Sequence, residues 1–370
     1  MKSGAGPKSW VVTGLIRCLP VCIICIACMV VACREKGEPL SSEASGKLSK
    51  ESSKEVARLI LDTDLSSDVD DVGAVALLHG LADQGKAQIL AMQISSGDPW
   101  SVPCLDALNT WFGRSDIPIG MVKGKAVQHE SKYTRAIAEE FPNNSGAGVD
   151  VYVDTPDAVA LYRRILHEQP DHTVTLVTIG YLTNLANLLQ SEADEISPLN
   201  GVELVRQKVQ RLICMGGEYP SGREWNFYQD SAAAASVVEQ WPTPVVFSGF
   251  EIGKEVLTGS GLQEVASPNP VRRSYELYNG LTDRPSWDQV AVYYAVMTAN
   301  GQQTKLWSKN SGRNVARPDG SNYWLNKREE GVDHAYLVQR ADTAALAELL
   351  EELMLTQPNS PTSRPIGPGQ

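Results

Sequence analysis

The chain predicts an α/β fold, a mostly parallel open sheet flanked by helices, on two observations. Short apolar runs alternate with segments of helical periodicity, the pattern of βαβ units whose sheet is covered on both faces. Polar or glycine-rich segments follow four of those runs, and in open α/β sheets ligands bind beyond the carboxyl ends of the strands. Expected strands are Arg58–Asp62, Gln88–Ser95, Ile117–Val122, Thr173–Thr178, Arg211–Met215 and Val245–Ser248. Expected helices include Asp70–Leu81, Pro103–Phe112, Pro156–Glu168, Leu182–Leu189, Ser231–Glu239, Asp288–Ala299 and Thr343–Met354. Thr155-Pro156 supplies an N-cap followed by proline at the first helical position, and Asp342 or Thr343 caps the last helix.

The first apolar run, Leu59-Ile60-Leu61, leads straight into Asp62-Thr63-Asp64-Leu65-Ser66-Ser67-Asp68-Val69-Asp70-Asp71, five carboxylates within ten residues. Between a strand and a helix these acids occupy a turn. Two unit charges about 4 Å apart repel by about 4 kcal/mol at an effective dielectric near 20, so the turn needs a cation or must hold neutral acids. Oxygen ligands without nearby Cys or His favour a hard ion, Ca2+ or Mg2+, over zinc. A calcium loop of the EF-hand type is excluded, because Ser67 and Gly73 stand where it needs Gly and Glu. The other segments at the expected ligand edge are Ser96-Gly97-Asp98, Ile179-Gly180-Tyr181 and Gly216-Gly217-Glu218.

The flanks lie outside this domain. Lys2, Lys8 and Arg17 precede a nearly unbroken apolar run from Cys18 to Val31, and Val30-Val31-Ala32-Cys33 resembles a bacterial lipobox. Residues 1–32 therefore read as a lipoprotein signal peptide, with Cys33 the lipidated residue (Cys28 the second candidate) of an exported protein anchored to a bacterial membrane, on its periplasmic or cell-surface side; an uncleaved membrane anchor is the alternative. Residues 33–56, rich in Ser, Lys, Glu and Gly, read as a flexible tether, residues 57–356 as the α/β domain, and 357–370 as an unfolded Pro-rich tail. Five of the seven cysteines fall in residues 1–33, which leaves Cys104 and Cys214 as buried free thiols and the core as the source of stability. Removing three positive charges with the signal takes the net charge from −11 to −14. Such acidity argues against nucleic acid or an anionic lipid surface as partner.

The segment Leu59–Asp64 followed by Asp70-Asp71 resembles the signature of the inosine–uridine nucleoside hydrolase family. Val174–Ala186 is similar to its second motif, and Met215-Gly216-Gly217 with Glu224-Trp225-Asn226 and Asp230 to its third, while Trp287-Asp288 stands at the family's late His-Asp. The resemblance covers roughly residues 57–355. It implies a Rossmann-like nucleoside hydrolase fold, dimers or tetramers, and a Ca2+ ion held by Asp64, Asp71, the backbone carbonyl of Ile179 and Asp288. It implies Asp64 as the base that deprotonates the attacking water. Asp70, Glu224 and Asn226 match positions that grip ribose hydroxyls, and Asp98 one that is usually Asn; Trp225 and Trp287 either fill the core or stack on the sugar or base. The expected activity is calcium-dependent hydrolysis of the N-glycosidic bond of ribonucleosides or related ribosides.

This chain departs from the family's pattern at two places. Leu65-Ser66-Ser67-Asp68-Val69 makes the acidic turn two residues longer and adds Asp68, which either braces the turn or lies behind the ligands. Trp287 replaces a His that lends a proton to the leaving purine, and indole cannot titrate; His129, Tyr219 or Tyr228 are candidate substitutes. Two rival functions follow: a ribose- or nucleoside-binding lipoprotein without turnover, and a haloacid-dehalogenase-like phosphatase built on Asp62 and Asp64. Asn184 reads as a helix cap, and His79, His167 and His172 as surface or helix-end residues.

Overall fold

The six expected strands are all present, and further strands complete the sheet. The computed structural model describes residues 56–146 and 150–358, all within one compact unit. The signal peptide, Cys33, the tether up to residue 55 and the tail from residue 359 lie outside the described residues. In chain order the strands are β1 (Ala57–Thr63), β2 (Ala87–Ile94), β3 (Ile119–Met121), β4 (Val174–Thr178), β5 (Val209–Met215), β6 (Ser221–Gly222), β7 (Val245–Ser248), β8 (Leu257–Thr258), β9 (Arg284–Pro285), β10 (Trp307–Ala316), β11 (Asn322–Leu325) and β12 (His334–Gln339). Ten of them form one sheet in the order β3-β2-β1-β4-β5-β7-β12-β10-β11-β6. Pairing is parallel from β3 to β12 and antiparallel from β12 through β10 and β11 to β6. Strands β10–β12 are absent from the sequence expectation because Trp307–Ala316 is mostly polar and only every few residues buried, so no alternation marks it.

The helices are α1 (Asp70–Asp83), α2 (Ser101–Trp111), α3 (Thr134–Glu140), α4 (Asp150–Asp154), α5 (Ala158–Glu168), α6 (Thr183–Gln190), α7 (Gly201–Lys208), α8 (Trp225–Gln229), α9 (Ser231–Gln240), α10 (Phe250–Gly253), α11 (Pro270–Asn279), α12 (Trp287–Met297) and α13 (Thr343–Met354). One apolar cluster packs α1, α2, α12 and α13 on one face of the sheet, and a second packs α5, α6, α7 and α9 on the other. Helix α1 is buried from Asp70 to Leu81 because it lies beneath α12 and α13, which is why its sequence is apolar all round rather than striped.

Three local expectations need correction. Helix α5 is capped by Asp157, which accepts from the amides of Val159 and Ala160. The Pro156 carbonyl is taken by the Met121 amide, so the chain stays extended there, and Thr155 donates back to Val151 instead of capping. Asn184 is no cap: its amide donates to the Asp62 carboxylate and to the Ile94 carbonyl. His79 is fully buried in mid-helix, stacked 4.6 Å from Phe112 and hydrogen-bonded to Asn109. Asp342 does cap α13, and Cys104 and Cys214 are buried free thiols. Among the described residues no helix is long and apolar enough to cross a membrane.

Candidate active site

Strand order reverses at β1: β2 and β3 lie on one side of it, β4 and β5 on the other. Such a switch point leaves a crevice at the carboxyl ends of the two central strands. Asp64 follows β1 and Ile179 follows β4 directly, and the amide of Ile179 donates to the carbonyl of Asp62 at 2.8 Å. Gly180 is required there, since a Cβ would lie 2.4 Å from the Asp64 amide nitrogen.

The long turn between β1 and α1 is fixed from both sides. Leu65 and Val69 are inserted into the core, and the Ser101 hydroxyl donates to the Leu65 carbonyl at 2.7 Å. The Tyr133 hydroxyl donates to the carbonyl of Asp68 at 2.6 Å. These anchors present Asp64, Asp68, Asp70 and Asp71 to a cavity of about 330 Å³, which is lined also by Ile179, Glu224, Asn226 and Asp288 and walled by His129, Trp225, Phe250, Tyr278, Arg284 and Trp287.

Asp70, Asp71 and Asp288 are brought together with carboxylate oxygens all within 4.8 Å of one another, and each is buried. Burial first, and the neighbouring negative charges second, push all three carboxyls well above the usual range. Thr63 donates to Asp71 through a short hydrogen bond, the Leu65 amide donates to the same oxygen at 3.2 Å, and the Asp288 amide donates to Asp70 at 3.3 Å. Asp64 lines the same cavity, but its carboxylate accepts from Ser67 at 2.8 Å and is outside that cluster of three; burial raises it to about 6. Glu224 caps α8 and accepts from the amides of Gly217, Asn226 and Phe227, with burial raising it to about 7. The Asn226 amide reaches the carbonyls of Ile179 and Met215 at 3.4 and 3.3 Å.

These donors suit a hard divalent ion. They are oxygens only, they are buried, and no cation neutralises Asp70, Asp71 and Asp288 by direct pairing among the described residues. A bound ion would find Asp71 and Asp288 in place, Asp70 alongside them, and the Ile179 carbonyl and Asp64 in the same cavity wall.

Other expected residues stand elsewhere. Asp98 is buried in a neighbouring pocket, where it accepts from the Trp100 amide and from the hydroxyls of Thr134 and Ser101. Asp62 is turned into the sheet, accepts from Tyr162 and Asn184, and is raised to about 7 by burial, so the phosphatase reading loses its first carboxylate. Tyr219 is buried against Asn314 and Gly216, outside the cavity. Asp68 has a definite partner: Arg284 grips it side-on, with Nε 2.9 Å from Oδ1 and Nη2 on Oδ2. Arg284, Tyr278 and Phe250 are site residues that sequence reasoning missed. Arg284 and Phe250 lie in short segments without a motif, Tyr278 lies on the amphipathic helix α11, which is not among the expected helices, and only the acid left over in the long turn hinted at a cation to match.

Fold and site define an α/β protein whose ligands converge on an acidic cleft at the sheet's switch point. The chain belongs to the inosine-uridine preferring nucleoside hydrolase family, whose model matches residues 59–345. It is 27% identical over 227 residues to the pyrimidine-specific ribonucleoside hydrolase RihA of Shewanella sp. strain MR-4, covering 58% of this chain and 66% of that relative's length, just short of two thirds. Among solved structures it is similar to a plant nucleoside hydrolase, PpNRh1, with a TM-score of 0.60 at 19% identity over 81% of this chain and 99% of that one. An inosine-guanosine nucleoside hydrolase gives a TM-score of 0.60 at 18% identity, covering 80% and 98% of the two chains. At those identities the structural likeness speaks for the fold.

Proposed function

We propose that the chain is a calcium-dependent N-ribosyl hydrolase that releases base and ribose from ribonucleosides or related ribosides. The observation that carries this reading is the meeting of Asp70, Asp71 and Asp288, buried and mutually repelling, at the bottom of a cavity large enough for a nucleoside-sized ligand. Family membership and the names of similar proteins, one a pyrimidine-specific ribonucleoside hydrolase and one an inosine-guanosine nucleoside hydrolase, support it. Calcium is chosen over magnesium because the donor set includes several carboxylates and a backbone carbonyl on two walls, which suits a large, loosely coordinated ion.

When bound, Ca2+ supplies acidity to a water and a hold on the ribose diol. The protein does the rest. Asp64, raised to about 6 and freed from Ser67, takes the proton of the attacking water. Asp70, Glu224 and Asn226 accept and donate hydrogen bonds at the ribose hydroxyls, and the ring of carboxylates stabilises positive charge as it develops at the anomeric carbon. Trp225, 46% exposed, and His129 close the outer wall over the base, their rings 5.8 Å apart.

The test is release of free base and reducing sugar from a nucleoside panel by calcium-loaded protein, with Asp64→Asn lowering turnover by about 1000-fold or more. Binding across the panel without turnover in the unmutated chain would replace this reading with that of a nucleoside-binding protein. Export and lipid anchoring at Cys33 belong to the same proposal, resting on residues 1–33. Fatty-acid labelling in a bacterial host that vanishes with Cys33→Ala checks them.

A further inference from the structure

We infer that Arg284 receives the departing base, and that it selects ribosides whose leaving group carries a carbonyl oxygen next to the glycosidic nitrogen. The inference deepens the hydrolase reading and rests on it. Its starting point is that Trp287, which stands at the family's late His, offers no proton to a leaving base. Trp287 spends its single N–H on the Phe250 carbonyl at 2.7 Å, with the two rings stacked 5.3 Å apart.

Arg284 is the cation of the cavity wall, and it is pinned. Asp68 holds Nε and Nη2, the Trp287 ring lies 5.3 Å from the guanidinium carbon, and the Tyr278 ring lies 5.7 Å away. Nη1 makes no hydrogen bond among the described residues, so its two N–H groups remain available in a side chain that lines the cavity. Arg284 stands four residues before Asp288, on the short strand that leads into α12, so the cation and one carboxylate of the cluster share one segment. The partner that orients it, Asp68, comes from the extra length of the acidic turn, 216 residues earlier. A turn insertion and a distant arginine thus make one device.

A guanidinium does not give up a proton, so it acts by charge and hydrogen bonding. In the step, the electron pair of the C1′–N bond leaves with the base, and the water oxygen bonds to C1′ while its proton passes to Asp64. Negative charge on the base spreads to the carbonyl oxygen beside the broken bond, where Nη1 donates to it; the released base takes its proton from bulk water. Pyrimidine bases have that oxygen at the ring position next to the glycosidic nitrogen. Purines do not.

The experiment compares kcat/KM for uridine, cytidine, inosine and p-nitrophenyl riboside, the last with a leaving group that needs no help. Arg284→Met is expected to lose about 100-fold or more on uridine and cytidine and less than about 10-fold on p-nitrophenyl riboside, the size seen when a preorganised donor is removed. Arg284→Lys, which keeps the charge and the pairing to Asp68, is expected to lose an intermediate factor with the same selectivity and guards against misfolding of the first variant. Equal losses on all four substrates would overturn the assignment. So would a leaving-group-selective loss in His129→Gln but not in Arg284→Met. Should the unmutated chain turn over none of the four, the hydrolase reading fails, and calorimetry decides the role of Arg284 separately. Uracil is then expected to bind about 10-fold or more weakly to Arg284→Met with ribose affinity unchanged, and equal uracil affinities reject it.

Discussion

Calcium should stabilise this protein by an amount that grows with pH, because the cluster of Asp70, Asp71 and Asp288 is repulsive without it. At separations up to 4.8 Å each ionised pair repels by about 3.5 kcal/mol at an effective dielectric of about 20. Three ionised carboxylates would therefore cost about 10 kcal/mol, within the range of a domain's whole stability of about 5–15 kcal/mol. The metal-free chain escapes by keeping these groups protonated, which is the sense in which burial and mutual charge raise them. A carboxyl raised in the folded state contributes stability that is full below its unfolded value of about 4 and is lost as pH rises through the folded value. Melting in chelator should thus fall as pH rises above the unfolded value of about 4 and these groups are forced to ionise. Calcium at about 100 times its Kd adds about 2.7 kcal/mol, or about 5 °C or more for a domain of this size. The gain should be largest at the higher pH, where protons no longer compete. Asp288→Asn removes one charge and one ligand, so it should melt several degrees above the parent chain in chelator and gain nothing from calcium. A calcium gain that survives Asp288→Asn, or metal-free melting that ignores pH, would refute the reasoning.

Two further outcomes follow from single residues. His79 is held neutral by burial, lowered to about 3, so its contribution is present above its unfolded value of about 6.5 and disappears as pH falls; between about pH 6.5 and 4.5 that is about 3 kcal/mol. His79→Gln, which keeps a donor to Asn109, should flatten that acid limb in urea melts, and an unchanged limb would discount His79 as its source. Gly180→Ala would drive a methyl to 2.4 Å from the Asp64 backbone, and the shift should cost about 1–3 kcal/mol and weaken calcium binding. Urea midpoints and a calcium titration check both, and a variant matching the parent in each would show that the two strand ends are free to separate.

What could be read from the residues is what short-range physics controls. The apolar runs marked β1, β2, β4, β5 and β7 because parallel strands buried on both faces need unbroken hydrophobic sequence. The acidic turn stood out because five carboxylates after a buried strand demand an electrostatic remedy. Asp71 was legible within that turn despite its two extra residues, and Asp288 through its match to the family's late His-Asp. Helix α5 began later than its Thr-Pro signal because the edge of β3 claimed the Pro156 carbonyl, a tertiary bond no local rule anticipates. Asp98 matched a motif position yet is tied up by Thr134, Ser101 and the Trp100 amide, which only the packing of α2 against α3 could reveal.

The sequence left Asp68 without a role because its partner lies far along the chain, and that pairing now links the two departures from the family pattern. Lengthening the turn while keeping only its original acids would have added backbone to a cleft already crowded with negative charge. Adding Asp68 alone would have made the repulsion worse. With Arg284 opposite, the added acid is neutralised, and the guanidinium it holds lies beside the ring of Trp287. An ion pair between side chains 31% and 23% exposed contributes little to stability through charge alone, so its worth lies in orientation. It keeps a planar donor in one pose beside two aromatic rings of the cavity wall.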